Sequence, residues 1–283
     1  MTTIATLLNE ARAVIPLREV RLLLQHVLAL GHAELAAHPE RVVAAEQATH
    51  LRALVTRREA GQPIAYLIGE CEFYGRKFRV TPDVLIPRPE TELLVDIAIE
   101  KLRARACRVL DLGTGSGCLA VSIAKELPQA QLAAIDASPA ALAVAQDNAA
   151  RQGVALRLLQ SDWYGALSDE YFDLIVANPP YIAEADTHLA QGDLRFEPRG
   201  ALASGPSGLD ALRIIVAQAP QHLAAGGWLY VEHGYDQAQA VEALLKQAGL
   251  VDIEHRADLA GIPRVAGARL SRNKVLTRIL PSV

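Results

Sequence analysis

Cysteine is scarce in this chain. Its three copies, Cys71, Cys107 and Cys118, are odd in number and far apart. Neither a disulfide framework nor a cysteine zinc site is indicated, and inert thiols are expected. The eight histidines include no H-E-x-x-H spacing, so no metal site is expected either. There is no Gly-x-Ser-x-Gly elbow and no P-loop, which counts against serine hydrolysis and phosphoryl transfer. Basic charge is not in excess: a net charge of -4 argues against a protein held on its partner mainly by phosphate contacts, so no stable nucleic-acid partner is expected. No apolar stretch approaches the roughly 20 residues that span a bilayer. Met1-Thr2-Thr3-Ile4 lacks the basic-then-apolar pattern of a secretion signal. The expectation is a soluble cytoplasmic protein with no membrane partner. Internal repeats and low-complexity tracts are absent as well.

What the chain does have is apolar material for a large core. Of its 283 residues 51% are apolar, which suits one large domain or two smaller ones. The first part reads as helices. Ile4, Leu7, Leu8, Ala11 and Val14 share one face at helical spacing, and Val20, Leu23, Leu24, Val27 and Leu28 repeat it after Pro16. Leu51, Leu54 and Val55 mark a further helix that ends near Gly61-Gln62-Pro63. No chemistry-bearing cluster stands there, which leaves a bundle that only packs or one that recognises a macromolecular partner.

Phe73-Tyr74-Gly75 and Phe78-Arg79-Val80-Thr81-Pro82 read as a hairpin. Leu85 to Glu92 then lead into a helix through Leu102, whose positive N-terminal end suits Glu90 and Glu92. Arg88 and both glutamates either cap and pair at the surface or line the edge of a site. From Arg108 on, strand and helix patterns alternate, with strands at 108–112, 132–136, 155–160, 172–177, 228–233 and 250–255 and a last one within 268–279. That alternation implies an α/β fold, a mostly parallel sheet wrapped by helices on both faces. Residues 182–207 are irregular and rich in Gly, Pro and charge; a loop of that length in a compact domain is usually functional or mobile. The division that follows is a helical domain at 1–68, a hairpin linker at 69–88 and a catalytic domain at 89–283.

The chemistry gathers at the strand ends. Asn178-Pro179-Pro180-Tyr181 directly follows the apolar run 172–177. Two prolines donate no backbone hydrogen bond and hold the chain extended, so the last carbonyls of the strand stay free. Asn178 adds a side-chain carbonyl beside them, and the Tyr181 ring can cover a planar group. Such a site suits an amide or an exocyclic amine. Gly113-Thr114-Gly115-Ser116-Gly117 lies between the first strand and its helix, where glycines let a ligand approach the backbone. The dinucleotide fingerprint would need glycine at 118, where Cys118 stands. Asp136 ends the second strand and suits ribose hydroxyls. Ser161-Asp162-Trp163 follows the third, placing Asp162 for an adenine amino group and Trp163 for an adenine ring. Three successive strand ends of this kind point to a nucleoside site. His233 ends a later strand and reads as a packing residue.

On these residues the chain resembles the protein-(glutamine-N5) methyltransferases that modify peptide-chain release factors, the PrmC/HemK family. The string Asp111-Leu112-Gly113-Thr114-Gly115-Ser116-Gly117 resembles the first motif of S-adenosylmethionine-dependent methyltransferases in general. Asn178 to Tyr181 narrows the likeness to transfer onto nitrogen. Ile86-Pro87-Arg88-Pro89-Glu90-Thr91-Glu92, Phe196-Glu197-Pro198-Arg199 and Gly208-Leu209-Asp210 point to this family.

The resemblance implies a class I methyltransferase fold of seven strands, the last antiparallel, with a small helical N-terminal domain. It implies that Gly113, Thr114, Gly115, Ser116, Gly117, Asp136, Trp163 and Asn178 hold S-adenosylmethionine. It implies that Asn178, Pro179, Pro180 and Tyr181 hold the glutamine of a release factor's Gly-Gly-Gln motif and carry the catalysis, in a monomeric enzyme. The alternatives are a glutamine methyltransferase of a ribosomal protein, an adenine-N6 or guanine-N2 methyltransferase of nucleic acid, and a cofactor-binding module without catalysis.

Overall fold

The computed structural model describes residues 1–103 and 106–272. The described residues divide into two units, one formed by Met1–Glu70 with Ala190–Phe196 and one formed by those of Cys71–Leu189 with those from Glu197 to residue 272. The first unit is helical. It holds α1 (Ile4–Ala11), α2 (Leu17–Leu28), α3 (His32–Ala37), α4 (Ala45–Glu59) and α5 (Ile64–Ile68). Thr3 caps α1 by accepting the Thr6 N–H at 3.2 Å, a device worth about 1 kcal/mol. The spacing that groups apolar residues on α1, α2 and α4 is the spacing that buries them: Ile4, Leu7, Leu23, Leu24, Leu51 and Leu54 share one core. Val14 falls past the end of α1 and is exposed. The segment 190–196 joins this unit through side chains. Arg58 on α4 donates to both carboxylate oxygens of Glu19 at 2.8 and 3.0 Å and to Asp193 at 2.7 Å, and Arg195 donates to the Ala60 carbonyl at 2.5 Å.

The second unit is built on a sheet. Ahead of it stands the hairpin β1 (Glu70–Phe73) and β2 (Arg76–Arg79). Its turn residues Tyr74 and Gly75 both have positive φ, 50° and 68°, as a two-residue hairpin turn requires. Phe73 and Phe78 meet edge to face at 6.2 Å and are buried with the helices of the second unit. The sheet itself contains β3 (Cys107–Leu112), β4 (Ala130–Asp136), β5 (Arg157–Gln160), β6 (Phe172–Ala177), β7 (Leu223–Glu232), β8 (Val251–Ala257) and β9 (Pro263–Arg269), in the order β5-β4-β3-β6-β7-β9-β8. Neighbours from β5 to β7 are parallel, and β9 runs antiparallel between β7 and β8.

Helices α6 (Glu92–Leu102), α7 (Cys118–Glu126) and α8 (Pro139–Gln152) supply one layer with the hairpin, and α9 (Asp210–His222) and α10 (Ala238–Gln247) the other. Alternate strand residues feed the two layers. On β3, Val109 joins the first core and Leu110 and Leu112 the second; on β6, Leu174 and Val176 join the first and Ile175 and Ala177 the second. This period of two in strands covered on both faces is what makes them read as unbroken apolar runs.

The closing strand corrects the expectation of one within 268–279. It lies at Pro263–Arg269, and residues 273–279 fall outside the described residues. Proline and glycine hide this strand, since both are poor strand formers. Gly267 is there because a Cβ would sit 2.0 Å from the ring of Tyr230 on the neighbouring strand.

Candidate active site

Between β3 and β6 the strand order turns outward in both directions, and the carboxyl ends of the strands around that switch point form a crevice. The register brings the ends level: Leu112 pairs with Ile135 and with Ala177, Asp136 with Gln160, and Ala177 with Val231. A cavity of 320 Å3 opens there. Of the residues singled out from the sequence, Gly113, Thr114, Gly115, Ser116, Asp136, Asp162, Trp163, Asn178 and Pro180 line it. Gly117, Pro179 and Tyr181 are not among its lining residues.

The glycine turn is held from several sides. Gly113 and Thr114 both donate their N–H to the Ile135 carbonyl at 2.8 Å. Gly115 donates to Asp136 Oδ2 at 2.8 Å, and Ser138 donates to Oδ1 at 2.9 Å. Asp136 thus pins the turn while keeping lone pairs toward the cavity. At Gly115 the space a Cβ would take is empty within 4 Å, so the backbone is open to a ligand. Gly117 serves another end: a Cβ would lie 2.9 Å from that of Ala145, so the turn packs tightly on α8. Asn148 on α8, buried, donates to the Ser116 carbonyl at 2.8 Å and to the Arg79 carbonyl at 2.9 Å, tying the hairpin to the turn. Trp163, with φ of 46°, is half-buried and brings its ring against Gly113.

Asp111, on β3, is a cavity residue that sequence reasoning places at the head of the glycine motif without giving it a role. It is buried, accepts the Thr114 hydroxyl at 2.6 Å, and its carboxyl is pushed up to about 7, chiefly by burial. The charged residues that line the cavity are Asp83, Asp111, Asp136 and Asp162, with no basic residue among them. That field favours a cation and rejects a polyphosphate. The cavity combines an acid for a ribose, an aromatic wall and an open backbone turn, and the donor set fits a cationic sulfonium nucleoside.

At the other side of the cavity, Asn178 donates its side-chain NH2 to Thr91 Oγ1 at 2.9 Å. Its Oδ1 makes no hydrogen bond among the described residues. Thr91 opens α6 and donates to Glu232 Oε2 at 2.6 Å, and the Tyr181 hydroxyl donates to Glu232 Oε1 at 3.1 Å. Burial first, then the neighbouring Glu232, push the Tyr181 phenol up. Glu232 ends β7 and is 1% exposed. Sequence reasoning watched His233 instead, and the only signal for Glu232 was its place at the end of an apolar strand. His233 is buried, with Nδ1 2.8 Å from the Gly234 carbonyl, and does not line the cavity. Arg88 pairs with Glu197 at 2.5 Å, and Glu92 accepts the Tyr74 N–H at 2.7 Å. No helix among the described residues is long and apolar enough to cross a membrane.

Comparison with known proteins supplies the rest. Two family models match, a PrmC N-terminal domain at residues 1–69 and a methyltransferase small domain at residues 90–197. The release factor glutamine methyltransferase of Bordetella pertussis is 54% identical over 258 residues, covering 90% of this chain and 96% of that protein. The protein of the same name from Escherichia coli is 43% identical over 255 residues, covering 90% of this chain and 92% of that one. Among solved structures, a T. thermophilus 16S rRNA methyltransferase in complex with AdoMet and guanosine superposes with a TM-score of 0.55 at 23% identity, covering 71% of this chain and 49% of that one. This last likeness is one of fold.

Proposed function

This chain belongs to the release factor glutamine methyltransferases, which use S-adenosylmethionine, and from that premise we propose that it methylates the side-chain amide nitrogen of the glutamine in a release factor's Gly-Gly-Gln motif. It acts as a monomer in the cytoplasm, without a stable nucleic-acid partner. The helical domain at 1–68 recognises the substrate protein. The observation that carries this reading is the paired character of the cavity: charged lining residues that are all acids, beside an asparagine whose NH2 is tethered and whose carbonyl oxygen is left for a donor.

The bound cofactor supplies an electrophilic methyl group on a positively charged sulfur. Gly113 to Gly117 offer it backbone, Asp136 its ribose acceptors, and Asp162 and Trp163 the adenine contacts. An amide nitrogen is a weak nucleophile because its lone pair is delocalised into the carbonyl, so positioning has to contribute most. Asn178 Oδ1 and the Pro179 carbonyl accept the two N–H groups of the glutamine and aim its nitrogen. The same acceptors favour the positive charge that grows on nitrogen only in the transition state. Pro179 and Pro180 add no competing N–H donor, and Tyr181 covers the amide plane. The proton leaves to water after transfer.

Incubation with methyl-labelled S-adenosylmethionine and a release factor, a ribosomal protein, tRNA or DNA tests the reading. Label is expected on the Gly-Gly-Gln glutamine, and label found instead in nucleic acid or another protein overturns it. Asn178→Ala should lower methyl transfer by roughly a hundredfold or more with an unchanged Tm.

A further inference from the structure

We propose that Glu232 is a positioning residue for the acceptor amide: its one carboxylate holds Asn178 through Thr91 and holds Tyr181 directly. This rests on the reading of Asn178 and Tyr181 as the residues that grip the glutamine. The hydrogen count makes the case. The side-chain nitrogen of Asn178 can only donate, so Thr91 Oγ1, 2.9 Å away, must accept from it. Thr91 then has one hydrogen left, and Glu232 Oε2 stands 2.6 Å off to take it. Tyr181 also has one, directed at Glu232 Oε1 at 3.1 Å. An ionised carboxylate accepts both with no hydrogen of its own to place, and the direction of the chain then decides that Asn178 turns its oxygen, not its nitrogen, away from Thr91. A protonated Glu232 brings a hydrogen into the pair: donated from Oε2 to Thr91 it opposes the chain that orients Asn178, and donated from Oε1 to Tyr181 it displaces the phenol's own donation.

A purely structural role fits poorly. Glu232 is 1% exposed and makes no ion pair among the described residues, a costly place for a carboxylate that only fills space. From the end of β7 its two oxygens reach Tyr181 and Thr91, 51 and 141 residues away in the chain, and Thr91 in turn holds Asn178. The groups that face it are Thr91 and Glu90 ahead of α6, Tyr181 after β6, and Arg264 on β9. Arg264 is itself engaged by Asp258 at 2.9 Å, and Arg88 acts on the Tyr181 side of the pair. Burial pushes the Glu232 carboxyl up to about 7, with Glu90 pushing the same way and the hydroxyls and Arg264 opposing. The arrangement therefore changes over near neutrality, and the competent form is the one above it.

The test measures kcat and KM on a release factor from about pH 6 to pH 8.5. In the wild type kcat should rise with pH as Glu232 ionises, through about 7. Glu232→Gln keeps the volume but brings an NH2 where an acceptor is needed; it should lose roughly ten- to a hundredfold in kcat and lack that rise. Thr91→Val should lose a similar factor in kcat while the cofactor Kd stays near wild type, with a lower Tm because Glu232 loses a buried donor, and Thr91→Ser should restore most of both. Wild-type kcat and an unchanged pH rise in Glu232→Gln overturn the proposal, as does Thr91→Ser no better than Thr91→Val. If Glu232→Gln fails to fold, the Thr91 pair still decides. Asn178→Ala separates the two readings. Wild-type turnover there sinks the grip itself, whereas loss there with intact Glu232→Gln and Thr91→Val sinks only the role of Glu232.

Discussion

Asp136 divides its carboxylate between the backbone N–H of Gly115 and that of Ser138. It therefore acts twice, as a wall of the cavity and as the pin of the glycine turn that forms the adjoining wall. Asp136→Ala removes both at once, and the cofactor Kd from calorimetry should rise by roughly a hundredfold or more, the loss expected for two hydrogen bonds to a charged group. Asp136→Asn keeps one acceptor and turns the other position into a donor, so it should fall between. An unchanged affinity in the alanine variant would take Asp136 out of the site. Such a residue is legible in sequence because everything it serves lies within a strand, a turn and the start of a helix.

The segments Ile86–Glu92 and Phe196–Arg199 are far apart in the chain and meet at Glu197. Its side chain is fully buried, accepts the Ile86 N–H at 3.0 Å and pairs with Arg88 at 2.5 Å. On either side of that contact, Leu85 and Pro87 and then Pro198, Gly200 and Ala201 line the cavity. Arg88→Leu leaves the Glu197 charge buried with a single backbone donor. A denaturant midpoint should register a loss of about 3 kcal/mol, and the cofactor Kd should rise with it. Glu197→Gln, which carries no charge to strand, should be milder.

The strand ends at Asp136 and Asn178 and the glycine turn could be read from local pattern alone, and the alternation of strands and helices carried the fold. The Arg88–Glu197 pair spans 109 residues and the Thr91–Glu232 bond 141. Neither leaves a periodicity in the chain, since only the folded sheet brings those ends together. Helices α3 and α5, of 6 and 5 residues, are too short to show a period, and β9 is masked by Pro263 and Gly267.

At the scale of the molecule, two buried acids set one stretch of the stability curve. Asp111 and Glu232 rise from ordinary values of 3.8 and 4.5 to about 7 on folding, in both cases through burial first. The folded state then binds protons that the unfolded state releases. Their contribution is complete below pH 3.8–4.5 and is lost as pH climbs through about 7. Glu170 works in the other direction: Arg157, then Arg108, hold it below its ordinary range, so its contribution is lost as pH falls. Tm measured across buffers should therefore decline from mildly acid to neutral pH, and the double variant Asp111→Asn, Glu232→Gln should flatten that decline. A Tm that climbs through the same interval in the wild type would show that these two acids do not govern it. The helical unit has its own consequence for experiment. Because Ala190–Phe196 belongs with Met1–Glu70, the backbone passes between the two units three times, after residues 70, 189 and 196. A cut after Glu70 therefore frees neither half. It leaves Asp193 without Arg58 and Arg195 without the Ala60 carbonyl, so an inactive truncation made there would report a damaged remnant and not the loss of a detachable module.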